Sequence, residues 1–139
     1  MTLAPSAFEF SFVAPDSARA GAPVRFAIVA RNTSDRTAEL WTNLVDQTFN
    51  FIVWRPDGIL VWDRLRAYTG GTVDLTAEGQ RVAPGGEVRF EAEWPQRDQS
   101  GRPVSPGVYQ AFGVLFTAPA DALPGGCYRS ALRPLTITR

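Results

Sequence analysis

Two residue types are missing from this sequence, and the gap narrows its chemistry. There is no histidine and no lysine, so all 14 cationic residues are arginine. Ser-His-Asp and Cys-His catalysis, histidine general bases and imidazole-bound zinc are therefore excluded. So are Schiff bases, Ser-Lys dyads and the lysine of a phosphate-binding loop. Carboxylates and one thiol remain. Glu91 and Glu93 lie two apart in an alternating stretch. On a strand they share a face, roughly 7 Å apart. Such a pair could do acid–base work, on glycans for example, but beside Glu87 and Arg89 it reads as a solvated outer face. Asp57, Asp63 and Asp74 are dispersed and lack the spacing of a calcium loop. Cys127 has no histidine to activate it and reads as a packed or incidental thiol. Gly70-Gly71 and Gly85-Gly86 precede strand-like stretches, not helices, so neither cradles a phosphate. No catalytic group, cofactor or metal site is expected.

The aromatic residues are better placed to build than to react. Trp41, Trp54, Trp62 and Trp94 could line a sugar or peptide groove, but tryptophan in strands is more often core, and Trp94 is in phase with Phe90. Tyr109, in Pro106-Gly107-Val108-Tyr109, resembles the tyrosine corner of sandwich folds.

The elements that must hold these residues centre on Thr48 to Trp62, TFNFIVWRPDGILVW. Two apolar runs flank Arg55-Pro56-Asp57-Gly58, a hairpin with turn chemistry at its tip. Phe49, Phe51 and Val53 share one face, and Ile52 and Trp54 the other. Ile59 and Val61 oppose Leu60 and Trp62 in the return strand. Apolar groups on both faces place the hairpin inside its sheet.

Phe8 to Val13 alternates and reads as the first strand. Val24 to Arg31 is the second, with Val24, Phe26, Ile28 and Ala30 on one face. Asn32 to Asp35 is a polar turn. It also spells a glycosylation sequon, which a chain with no export signal does not use. Further strands are expected at Thr37 to Thr42, Thr72 to Thr76, Glu87 to Trp94, Val108 to Thr117 and Leu135 to Arg139. Glu87 to Trp94 is the most regular, with Val88, Phe90, Ala92 and Trp94 inward. Ala83 to Gly86 is a type II turn. Pro119 to Pro134 is a Pro/Gly-rich excursion with a helical turn near Asp121. About eight short strands at this spacing predict an all-β fold, a single antiparallel immunoglobulin-like β-sandwich.

The length, 139 residues, fits one domain, and the 45% hydrophobic and 20% charged content suits a folded globular chain. Net charge is zero, which offers no pull toward nucleic acid or an anionic membrane. A single cysteine allows no internal disulfide, which suits a reducing compartment. With no apolar run of membrane-spanning length and no signal-peptide pattern, the expected location is cytoplasmic. It is exported instead if Met1 replaces a removed signal.

Four pieces of the sequence carry a family resemblance. They are Phe49-Asn50-Phe51 through Asp57-Gly58 to Val61-Trp62; the V-x-P-G-G-E turn from Val82 to Glu87; F-x-x-x-W from Phe90 to Trp94; and P-G-x-Y-x-x-x-G from Pro106 to Gly113. Their order and spacing resemble the intracellular proteinase inhibitor family (BsuPI-like). The strand from Val24 to Asn32 also fits, giving a family-like region of about residues 24–117, with 118–139 a loop plus the last strand. The resemblance implies an immunoglobulin-like sandwich that inhibits an intracellular subtilisin-type serine protease, so the expected partner is a protein. The family supplies no reactive-site motif to carry over. Substrate-like inhibition needs an extended loop that lies in the protease cleft. Two segments are candidates: Gln96 to Ser105, with Arg97 and Arg102, and Leu123 to Arg133, with Tyr128, Arg129 and Ser130. Tyr128 would fill a large apolar specificity pocket. The alternative is a non-inhibitory immunoglobulin-like module for protein binding or assembly. Oligomeric state is not legible.

Overall fold

In the computed structural model, residues 7–43, 48–67, 77–116 and 127–139 are described. The strands are β1 (Phe8–Val13), β2 (Ser17–Arg19), β3 (Val24–Asn32), β4 (Ala38–Asn43), β5 (Phe49–Trp54), β6 (Leu60–Asp63), β7 (Ala77–Val82), β8 (Glu87–Trp94), β9 (Gly107–Phe116), β10 (Cys127–Arg129) and β11 (Arg133–Thr138). A short 3-10 turn, Arg64–Ala67, follows β6. One sheet has the order β1-β3-β8; the other runs β2-β11-β9-β5-β6, with β10 also on β9; β4 and β7 form a separate ribbon. The protein is an all-β sandwich of immunoglobulin-like character. Pairing is antiparallel except between β2 and β11, which are parallel.

Alternation explains the layers. Val24, Phe26, Ile28 and Ala30 of β3 are fully buried against Phe51, Val53 and Leu115 of the facing sheet. Phe26 and Phe51 have ring centroids 5.5 Å apart, and Trp62 stands 6.2 Å from Trp94. Each such side chain contributes roughly 1.5–3 kcal/mol by leaving water. The Glu87–Trp94 pattern also holds: Phe90 and Trp94 are buried, and Glu87, Arg89, Glu91 and Glu93 are exposed.

The facing sheets come close at Gly113 of β9. A Cβ built there would lie 3.0 Å from Ile28 and Phe12 side-chain atoms. A side chain there would fit only if Ile28 and Phe12 gave by a few tenths of an ångström, the backbone conformation being ordinary.

Several expectations change. The 48–62 hairpin is only half interior: β5 lies between β9 and β6, whereas β6 pairs with β5 alone among the described residues. Its return strand does not alternate. Val53 pairs with Trp62 and Trp54 with Leu60, so a bulge interrupts the register. Val61 and Trp62 are consequently both buried, since an extra residue resets which way the following side chain points. Among the described residues there are eleven strand segments rather than about eight. Ser17–Arg19 and Cys127–Arg129 carry no alternation signal in three residues and are held by ladders to β11 and β9. The last strand begins at Arg133 rather than Leu135. The expected strand at 72–76 and helical turn near 121 lie outside the described residues. No helix among the described residues is long and apolar enough to cross a membrane.

Asn32 is completely buried at the end of β3. Its Nδ2 donates to the Arg36 and Val82 carbonyls at 2.8 and 2.9 Å, and its Oδ1 accepts from the Ser34 amide and hydroxyl. Its backbone bonds the Gly85-Gly86 turn in both directions. A glycan cannot be attached to a side chain so committed. Asn32 instead joins the β3–β8 pair to the β4–β7 ribbon.

Candidate functional site

The segment from Gln96 to Ser105 leaves β8 directly after Trp94, which is buried with its indole N–H donating to the Arg97 carbonyl at 2.9 Å. A core tryptophan needs a partner for that donor, and here the partner is the loop itself. Gln96 follows with φ of 57°, a left-handed conformation that costs a non-glycine residue energy. Its side chain is buried and offsets that cost. Nε2 donates to the Arg19 and Ala22 carbonyls at 2.7 Å each, and Oε1 accepts from the Gly21 amide at 3.2 Å. The loop is thereby clamped to the turn after β2.

Beyond Gln96 the segment is a miniature hairpin. Arg97 bridges Pro103, and the Val104 amide donates to the Gln96 carbonyl. Asp98 organises the tip: its Oδ1 accepts from the Ser100 amide, the Ser100 hydroxyl and the Arg102 amide, at 2.7 to 2.9 Å. The Ser100 hydroxyl bond, with the Arg102 amide next, holds the Asp98 carboxyl below its ordinary value. The Arg97 guanidinium donates to the Gly101 carbonyl. Arg97, Gln99, Ser100 and Arg102 are exposed. The expected extended loop is thus a tight turn at its tip, with extended limbs only around the Arg97–Pro103 bridge.

The second candidate segment is corrected more strongly. Of Leu123 to Arg133, Cys127–Arg129 is strand β10, antiparallel to β9. Tyr128 lies half-buried with its ring 5.4 Å from that of Phe10, stacked. Burial raises its phenol pKa. The Arg129 guanidinium covers the Phe112 ring at 4.6 Å. Ser130 continues the ladder: its amide donates to the Gly113 carbonyl, and its hydroxyl accepts from the Gly113 amide. Ladder hydrogen bonds to Gly113 to Phe116 turn what reads as a loop into an edge of the sheet. The two candidate sets are also far apart. Tyr128 pairs with Leu115, whereas the 96–105 loop joins the start of β9 near Tyr109. Six strand residues separate those ends, roughly 20 Å.

Beside the first loop lies an open groove of about 490 Å³. Its lining comes from two segments, Pro56, Ile59 and Leu60 in one and Pro103, Pro106 and Val108 in the other. Tyr109 closes one side, its hydroxyl donating to the Ser105 carbonyl at 2.5 Å, the tyrosine-corner bond. Sequence reading misses this groove because its two lining segments are more than 40 residues apart and are brought together by the β5–β9 pairing.

No protein-family model matches the chain, and no curated protein matches it either. Solved structures match its shape. The C-terminal domain of Wzt aligns with a TM-score of 0.51 at 12% identity, covering 97% of this chain and 75% of that one. A DNA glycosylase, AlkC of Pseudomonas fluorescens, aligns at 0.47 and 11% identity, over 98% of this chain and 32% of that one. A Listeria innocua β-glucosidase aligns at 0.45 and 12% identity, over 96% of this chain and 16% of that one. The chain thus spans a small part of those two proteins. At such identities the Wzt likeness speaks for the fold alone.

The carboxylates are accounted for locally. Glu91 is ion-paired with Arg89 at 2.8 Å and Glu93 with Arg25 at 3.1 Å, all exposed. Among the described residues no three His, Cys, Asp or Glu side chains gather in metal-binding range. Trp62 and Trp94 are core, and Trp54 is partly buried on the outer face of its sheet.

Proposed function

We propose that this chain is a binding module rather than an enzyme, and that it inhibits a subtilisin-type serine protease through the 96–105 hairpin. One observation carries the reading. That hairpin is exposed at its tip, yet bonded internally through Asp98 and clamped to the body by Gln96. A loop already ordered in its bound form avoids the entropy cost of ordering on contact, which is how a small rigid scaffold gains affinity. The resemblance of the 49–113 motifs to the BsuPI-like inhibitors supports the choice of partner, and the lack of histidine and lysine favours binding over catalysis.

Stepwise addition of the protein to a fixed amount of such a protease should give a linear fall in peptidase activity to a stoichiometric end point. Arg102→Ala should weaken inhibition about tenfold at an unchanged melting temperature. Unaltered activity with the protein intact, or progressive cleavage of the protein, would count against inhibition. A non-protease partner held stoichiometrically would leave the binding module without the inhibitor role.

A further inference from the structure

We infer that Asp98 keeps the 96–105 hairpin from being cut, so that the chain blocks a protease without serving as its substrate; this rests on the inhibitor reading above. By composition the tip invites cleavage. Gln99, Ser100, Gly101 and Arg102 are all exposed, and exposed tips of small and polar residues are where proteases nick folded chains.

A cleft that cuts a chain binds it extended and pairs with its backbone N–H and C=O groups. In this hairpin those groups are in use. The Asp98 amide donates to the Arg102 carbonyl at 2.8 Å, and the Gly101 amide to the Asp98 carbonyl at 2.9 Å. The Arg97 carbonyl accepts from the Trp94 indole, and the Gly101 carbonyl from the Arg97 guanidinium. The Ser100 and Arg102 amides both donate to the Asp98 carboxylate. Gly101 has φ of 85°, a left-handed conformation far from extended backbone.

Asp98 is the positioning residue because its bonds cross the turn. Its amide and its carboxylate both reach Arg102, and its carbonyl and carboxylate hold Gly101 and Ser100 between them. The tie from the tip to β6 is weaker, Gln99 Nε2 reaching the Asp63 carbonyl at 3.4 Å. Without the carboxylate, the Ser100 and Arg102 amides and the Ser100 hydroxyl lose their acceptor, and the tip opens more often to an extended form. Cleavage follows that open population. It would add one water across a peptide bond between residues 97 and 103, leaving a new carboxylate and a new amino group.

The test is incubation of the wild type, Asp98→Ala and Asp98→Asn with a subtilisin-type protease, read by residual peptidase activity and by mass spectrometry of the chain. The wild type should inhibit throughout and gain no cut. Asp98→Ala should inhibit only temporarily, with cuts confined to 97–103 appearing at least about tenfold faster than any in the wild type. Asp98→Asn, which keeps an acceptor, should recover most of the resistance. An Asp98→Ala chain that stays whole and inhibits as durably as the wild type would overturn the inference while leaving the inhibitor reading in place. So would a wild type that inhibits while its own 97–103 bonds are slowly cut, since inhibition would then be substrate-like. Cuts scattered through the whole Asp98→Ala chain would overturn it too, because the carboxylate would then serve global stability. A wild type that neither binds nor inhibits removes the reading itself, and this inference with it.

Discussion

Gly113 and Asn32 show how single positions carry this sandwich. Gly113 looks unremarkable on a strand, yet the facing sheet leaves little room for a side chain there. Ile28 and Phe12 both sit in the core, at 0% and 7% exposure, so neither can give way. Gly113→Val should therefore lower unfolding free energy by about 1–3 kcal/mol through overpacking. That outweighs the roughly 0.4–1 kcal/mol a stiffer unfolded chain returns. Thermal or urea unfolding of the variant checks the sign. Asn32 is the reverse case, a polar residue buried without penalty because every hydrogen-bonding group it has is used. Its sequence context spells a glycosylation sequon that is not expected to be used, and its burial leaves the side chain no room for a glycan.

At the level of elements, the 96–105 hairpin has a pH limit set by Asp98. The folded-state pKa of Asp98 is depressed, first by the Ser100 hydroxyl bond. Its contribution is present above the unfolded value, about 3.9, and is lost as pH falls through the lower folded value. Amide chemical shifts of Ser100 and Arg102 should be constant from neutral pH to about 4 and then move together in more acid solution. Asp98→Asn, which keeps an acceptor but does not titrate, should abolish that acid transition. The same element shows what local reading achieves. Polarity and Pro-Gly punctuation correctly mark 95–105 as a connection, but the clamp to Arg19 and Ala22 spans more than 70 residues and has no local signature. In 127–130 the error runs the other way. Cys127 to Ser130 follows glycines and alternates poorly, and β9 alone makes it a strand.

For the molecule as a whole, the missing lysines leave an unusually simple alkaline titration. The three tyrosines and one cysteine are the side chains that change charge before arginine. Burial holds the Tyr109 and Tyr128 phenols above their usual value. A raised folded pKa means that the stabilising contribution is complete below the unfolded value, about 10. It is lost as pH rises through the folded one. Stability should fall above about pH 10, and Tyr128→Phe, which keeps the ring against Phe10, should shallow that fall in melts taken across the alkaline range.

The order of apolar alternation and turn residues was enough to determine an all-β sandwich, the inward faces of β1, β3, β5 and β8, the Arg55 to Gly58 turn and the tyrosine corner. Each is a short-range pattern: period-two side chains, a proline at one turn position, a glycine at the next. The absence of histidine and lysine likewise set the limits on chemistry before any fold was known. Tertiary structure alone decided that Val61 and Trp62 both face the core, that Tyr128 and Ser130 belong to a sheet edge, and that residues 55–60 and 103–108 enclose one groove. Those facts depend on register and on which distant backbone supplies a hydrogen bond. Neither is encoded in the residues adjacent in the chain.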